Sequence, residues 1–336
     1  MGLARGIKKF FSPAKAIVLM YHRIAEPEMD PWQLSVSRDH FESHLATLKA
    51  TGCVKSVNEV IHDLENNTLS NDCICITFDD GYEDNYLYAL PLLEKYECPA
   101  TFFITTSTIG SNEPYWWDML AEIFLSADKL PASLNIKINE ANFSYQLENE
   151  GAMSVAQRKM NAAWHWPEDT PTQRAKIYFE IWMTLRDQQY HVIRKAVDEI
   201  KQWSGLKPIN TSGNFPMSES QLRKLSEHKY AFTGLHTHTH SALGTLSTDQ
   251  QLIEINLGKQ WLDEKLNINH VSLAYPYGSY NKETSEAVKK AGLSAAFTTD
   301  AHIVTGKSNR FQLGRIQVTD QTGEQLKQKL DTLLNK

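Results

Sequence analysis

The chain has little cysteine and no arrangement of it that carries chemistry. Its four cysteines are Cys53, Cys73, Cys75 and Cys98, with no CxxC pair. A thiolate zinc site and a thioredoxin-like redox centre are therefore excluded, and the cysteines are expected to be reduced packing residues. Glycine (16) and proline (12) are too few among 336 residues for a collagen-like or low-complexity chain. Basic excess is missing too: 34 Lys plus Arg stand against 40 Asp plus Glu, a net charge of -6, which argues against nucleic acid as a partner. No apolar run approaches the ~18–20 residues of a membrane span. The basic start Met1–Phe11 meets Ser12-Pro13-Ala14-Lys15 before any apolar signal-peptide core, so a cytoplasmic location is expected. Residues Gly2 to Phe11, with Leu3, Ile7, Phe10 and Phe11 opposite Arg5, Lys8 and Lys9, are the one candidate for peripheral membrane contact.

What is present is a globular composition, 41% hydrophobic. Short apolar runs rich in β-branched and aromatic residues recur at 17–21, 73–78, 101–105, 231–236, 271–275, 295–298 and 313–318. Each reads as a strand buried on both faces. Helix-period segments lie between several of them, at 39–50, 87–96, 248–266 and 282–291, the last closed by Gly292. The alternation implies an α/β chain with a mostly parallel sheet, and about seven strands make a distorted (β/α) barrel the economical architecture. Residues 1–336 are read as one such domain, with a core at 16–111 and 216–320. From 112 to 215 the pattern turns to long helical stretches holding six of the eight tryptophans, an inserted helical subdomain. Most of these tryptophans are expected to pack the insertion against the barrel, with Trp116 and Trp117 placed to wall a ring-shaped substrate.

Four constellations fall at predicted strand ends, where barrel active sites sit. Thr77-Phe78-Asp79-Asp80-Gly81-Tyr82 brings two adjacent carboxylates to one rim. Side chains that are neighbours on extended backbone point apart, so one can bind a cation while the other takes a proton. His236-Thr237-His238-Thr239-His240 supplies three imidazoles, and spacing alone leaves open which two join a carboxylate as metal ligands. Tyr275-Pro276-Tyr277-Gly278 is a rigid loop whose N–H groups could face negative charge. Leu19-Met20-Tyr21-His22 delivers a histidine to the same rim.

In this order the motifs resemble the polysaccharide deacetylase family, the NodB homology domain or carbohydrate esterase family 4. The resemblance implies Asp79 as general base, and Asp80, His236 and His240 as ligands of a divalent metal, Zn²⁺ first with Co²⁺ or Ni²⁺ as substitutes. His238 is then a bystander. It implies an oxyanion contact from the Tyr277 N–H, with Pro276, Tyr82, Trp116 and Trp117 bordering the substrate. The family's R-x-P-Y arginine is Ala274 here, and Arg23, Arg310 and Arg315 could each substitute for it in orienting Asp79. No late histidine motif follows residue 302. His22 takes its place as general acid, as in the circularly permuted poly-N-acetylglucosamine deacetylase-like subgroup. The expected activity is hydrolysis of the acetamide of an N-acetylated amino sugar, carried on a glycan, lipid or nucleotide. Two alternatives stand beside it: an amidohydrolase using His236 and His238 on a cyclic amide or imide, and a glycan-binding protein with a degraded site.

Overall fold

Alternate residues of the long strands enter two different apolar clusters, which is why those strands read as unbroken hydrophobic runs. Ile17, Leu19 and Tyr21 pack with Ile74, Ile76, Phe78 and Phe102, whereas Ala16 and Val18 pack with Cys73, Cys75, Phe103 and Phe297. With side chains alternating along a strand, both faces of the sheet are buried. A computed structural model describes residues 13–206, 214–268 and 271–335. The segment considered for membrane contact, Gly2 to Phe11, lies outside them. No helix among the described residues is long and apolar enough to cross a membrane.

The central sheet has eight strands: β1 (Lys15–Tyr21), β2 (Cys73–Phe78), β3 (Ala100–Ile104), β4 (Ala231–Leu235), β5 (Leu273–Ala274), β6 (Ala296–Phe297), β7 (Val304–Thr305) and β8 (Ile316–Gln317). Their order is β6-β5-β4-β3-β2-β1-β7, with β8 also pairing β1. All neighbours are parallel except β7, which runs against β1. The seven expected strands are present; among the described residues their ladder is an open path and does not close into the expected distorted barrel. Residues 313–317 touch both ends of it. Leu313 exchanges backbone hydrogen bonds with Ala296 and Thr298, and three residues later Ile316 pairs with Leu19. Between them the Arg315 N–H donates to the Asp300 carbonyl and its side chain to the Thr298 carbonyl, which takes the backbone out of ladder register.

Helices 38–51, 248–266 and 282–290 form where the periodicity places them. In place of one helix over 87–96, a π-helical turn at Asn85–Ala89 runs into a helix at Leu90–Tyr96. The four cysteines are unpaired, and Cys73, Cys75 and Cys98 are buried.

The segment 112–215 is not wholly helical. Helices Trp116–Ala121, Val155–Ala163, Gln173–Arg186 and Tyr190–Ser204 are joined by an antiparallel hairpin of Ser133–Ile138 with Ala141–Gln146. The hairpin follows from a period-2 pattern: Leu134, Ile136 and Ile138 are buried while Asn135 and Lys137 face solvent. This region has its own apolar cluster, which also takes in Tyr82 and, at its edge, Trp32 and Tyr277.

Candidate active site

Parallel pairing aligns the strand ends. Tyr21 pairs with Phe78, Phe78 with Phe102, Ile104 with Leu235, and Leu235 with Leu273. The residues that follow, His22, Asp79-Asp80, His236 and Tyr275-Pro276-Tyr277, therefore emerge along one rim. Gly234 is required one residue before that rim, because a Cβ there would sit 2.5 Å from the Phe103 ring. The turns beyond are tight: Asp80, Thr237, His240 and Tyr277 all have positive φ, between 57° and 73°. Non-glycine residues in this region are strained, and such strain concentrates at functional sites where surrounding contacts hold it.

Asp80, His236 and His240 form a buried cluster. Asp80 Oδ1 lies 3.5 Å from His236 Nε2 and 3.2 Å from His240 Nε2. The His236 ring donates from Nδ1 to the Ala274 carbonyl at 2.8 Å; a carbonyl only accepts, so Nε2 is left bare and turned to Asp80. Burial, opposed by Asp79, lowers the His236 pKa to about 4, which keeps the imidazole neutral. His240 Nδ1 is fixed 2.9 Å from the Tyr277 hydroxyl. Burial works to raise the Asp80 carboxyl, but His240 leaves it below the ordinary value. Asp80 Oδ1 is buried with no hydrogen-bond donor. The neutral His236 imidazole, the His240 ring and an undonated carboxylate oxygen suit a divalent cation, with nitrogen and oxygen ligands of the kind Zn²⁺ takes.

Asp79 sits beside the cluster in a different environment. Arg315 grips it with two charge-assisted bonds, Nη1 to Oδ1 at 2.6 Å and Nη2 to Oδ2 at 2.7 Å. Both side chains are fully buried. Burial pushes the Asp79 carboxyl up, yet the Arg315 charge, then His236, hold it well below the usual carboxylate range. Of the three arginines left open by the sequence, Arg23 instead pairs with Asp84 and Arg310 with Glu65. His22 Nε2 and His236 Nε2 each lie 3.9 Å from Asp79 Oδ2.

A cavity of about 350 Å³ opens over these groups, bordered by Trp32, Trp117, Trp166 and Trp182 as well as His22, Asp79, Asp80, His236, His240 and Tyr277. Trp116 does not line it but packs edge-on against Trp117 and tilted against Trp182. Tyr82 and Pro276, expected at the substrate, are buried and lie outside the cavity wall. His238 turns away, its Nδ1 2.9 Å from the Thr106 hydroxyl, so the His236–His238 pair of the amidohydrolase alternative is not brought together. Trp32, Trp182 and Arg186 were not singled out by the sequence. The spacing of Trp182 and Arg186, four apart on one helix with the guanidinium 5.9 Å from the indole, was the available signal; Trp32 sits in a loop and offers none.

The fold and site together define an α/β protein with a buried carboxylate–histidine cluster at the carboxyl ends of parallel strands. Comparison with known proteins supplies a family model and relatives. Residues 66–130 and 208–296 match the family model for polysaccharide deacetylase. The chain is 22% identical over 329 residues to the poly-beta-1,6-N-acetyl-D-glucosamine N-deacetylase of Staphylococcus aureus strain N315, covering 94% of this chain and 83% of that one. Its fold is similar to the Streptococcus pyogenes deacetylase PplD, solved in complex with acetate (TM-score 0.59, 22% identity, 96% of this chain and 99% of that one). It is likewise similar to IcaB from Ammonifex degensii (TM-score 0.56, 18% identity, 94% and 96%). Those matched residues make this a chain with a polysaccharide deacetylase domain and an enzyme of the hydrolase class.

Proposed function

We propose that this chain is a metal-dependent N-deacetylase that hydrolyses the acetamide of an N-acetylated amino sugar to a free amine and acetate. The observation that carries the reading is the division between adjacent carboxylates: Asp79 is committed to Arg315, while Asp80 faces two histidines with an undonated oxygen. One carboxylate is kept ionised as a base and the other is left for a cation. Asp80, His236 and His240 would hold a divalent cation, which would supply Lewis acidity towards the amide carbonyl and a water.

The chain's own residues perform the remaining steps. Asp79 takes a proton from the attacking water, and Arg315 keeps it anionic and aimed until it does. The Tyr277 N–H, on a strained turn at the rim, is the backbone donor for the developing oxyanion. His22, on the Asp79 side of the cavity, gives a proton to the departing nitrogen as the C–N bond breaks. The indoles of Trp32, Trp117, Trp166 and Trp182 offer flat apolar faces to a sugar ring and exclude water from the carboxylates. Deacetylase relatives across nearly the whole chain support this assignment.

Acetate release from a panel of N-acetylated amino sugars, free, oligomeric and carrier-linked, tests it, using protein supplied with Zn²⁺ or Co²⁺ and Asp80→Ala as control. Release that disappears in the variant is expected. Silence across the panel, or release that survives Asp80→Ala, would contradict the reading.

A further inference from the structure

The first turn of the insertion reaches beneath the candidate metal centre. The Tyr115 hydroxyl donates to the backbone carbonyl of Asp80 at 2.8 Å, the residue held at φ 73°. The Trp117 indole lies against the His240 imidazole with ring centroids 4.6 Å apart. Its Nε1–H donates to the Tyr82 hydroxyl at 2.7 Å, and that hydroxyl donates to Asp118 at 2.7 Å. Tyr115 and Trp117 stack at 4.7 Å and 13°, and the Arg23 guanidinium covers the Tyr82 ring at 4.6 Å.

The indole N–H can only donate, so the Trp117–Tyr82 bond has one direction. A hydroxyl has one hydrogen, so once Tyr82 gives it to Asp118 the oxygen is free to accept from the indole, and both rings are pinned. Setting a half-buried carboxylate against a fully buried phenol costs free energy that apolar packing would not, so their presence at this contact asks for a role beyond filling space. The contacts end on two of the three candidate ligands: the Asp80 backbone and the His240 ring.

We propose that Tyr115, Trp117 and Asp118 of the insertion, acting through Tyr82, are positioning residues that hold Asp80 and His240 in ligating geometry. The insertion then completes the centre as well as walling the cavity. This rests on the reading of Asp80, His236 and His240 as metal ligands. Groups behind metal ligands that orient them are worth about 10–100-fold in metal affinity.

The test is Zn²⁺ affinity of the full chain by competition with a chromophoric chelator, together with the visible spectrum of the Co²⁺ form, for Tyr82→Phe, Trp117→Phe and their double variant. Asp80→Ala defines the site. Trp203→Phe is the structural control: Trp203 Nε1 donates to the Ser133 carbonyl inside the insertion, away from this network. Tyr82→Phe and Trp117→Phe are expected to bind Zn²⁺ ~10–100-fold more weakly with an altered Co²⁺ spectrum. The double variant should be little worse than either, because both changes cut one link. Trp203→Phe should lower the melting temperature and leave affinity unchanged. Wild-type affinity in Tyr82→Phe and Trp117→Phe, or an equal loss in Trp203→Phe, would overturn the inference while leaving the deacetylase reading standing. A wild-type chain that binds no Zn²⁺ would overturn both.

Discussion

Replacing Arg315 by methionine isolates the part of the site that makes Asp79 a base. The wild-type pair is two short bonds between side chains that are both buried. Removing one partner of such a pair leaves an uncompensated buried charge, at a cost of about 3–5 kcal/mol. Asp79 escapes that cost by taking a proton, because burial drives its carboxyl up once the Arg315 charge is gone. The sign follows directly. In wild type the folded carboxyl lies below its unfolded value of 3.8, so its contribution to stability is complete at neutral pH and is lost as pH falls below that value towards the folded one. In Arg315→Met that contribution vanishes and the acid limb of kcat moves to higher pH. Turnover at neutral pH should fall by ~10²–10⁴, the usual worth of a general base, and recover about tenfold per pH unit on the limb. Arg315→Lys should lie between, having charge without the two-pronged fit. Chemical denaturation supplies a second readout: Asp79→Asn/Arg315→Met should be more stable than Arg315→Met alone. An unchanged acid limb and unfolding midpoint in Arg315→Met would refute this reasoning.

Three further outcomes are expected. His22→Ala should keep full metal content and lose ~10²–10⁴ in kcat, measured by acetate release with metal analysis of the same sample, and an unchanged rate would remove His22 from the chemistry. His236→Ala and His240→Ala should each abolish tight Zn²⁺ binding, while His238→Ala, whose ring contacts only Thr106 among the hydrogen bonds described, should retain it; equal losses would contradict the ligand assignment. His44 is buried between the Tyr21 hydroxyl and the Gln321 carbonyl, and burial, partly offset by that carbonyl, lowers its pKa to about 4 from 6.5. As pH falls from 6.5 towards 4 the unfolded chain gains a proton that the folded chain refuses, so stability should drop by up to about 3 kcal/mol. Denaturation midpoints across that range should fall less steeply in His44→Leu.

The sheet was legible because buried parallel strands announce themselves as short, unbroken apolar runs, as Cys73–Phe78 does. Its closure was not, because it turns on a single residue: Arg315 gives its N–H and guanidinium to Asp300, Thr298 and Asp79 instead of extending a ladder. The hairpin at 133–146 went unread for a different reason. Its alternation of Leu134, Ile136 and Ile138 spans only a few residues inside a region dominated by helical spacing. In the site, Asp79, Asp80 and the histidines 236, 238 and 240 were visible because acids and imidazoles crowd the ends of predicted strands, while the choice of His236 and His240 among the three came from the family resemblance. The partner of Asp79 was narrowed to three arginines and no further, since a contact between residues 79 and 315 depends on how β8 returns to β1. Trp32 carried no local mark and Trp182 only its four-residue spacing to Arg186, because an indole that borders a cavity has the same sequence signature as one that packs a core.

Asp79→Asn separates the two carboxylates in one sample, by metal stoichiometry and acetate release together. The expected result is one Zn²⁺ per chain, as in wild type, with turnover nearly abolished. Loss of the metal, or turnover at the wild-type rate, would show that Asp79 is not the base beside the metal ligands.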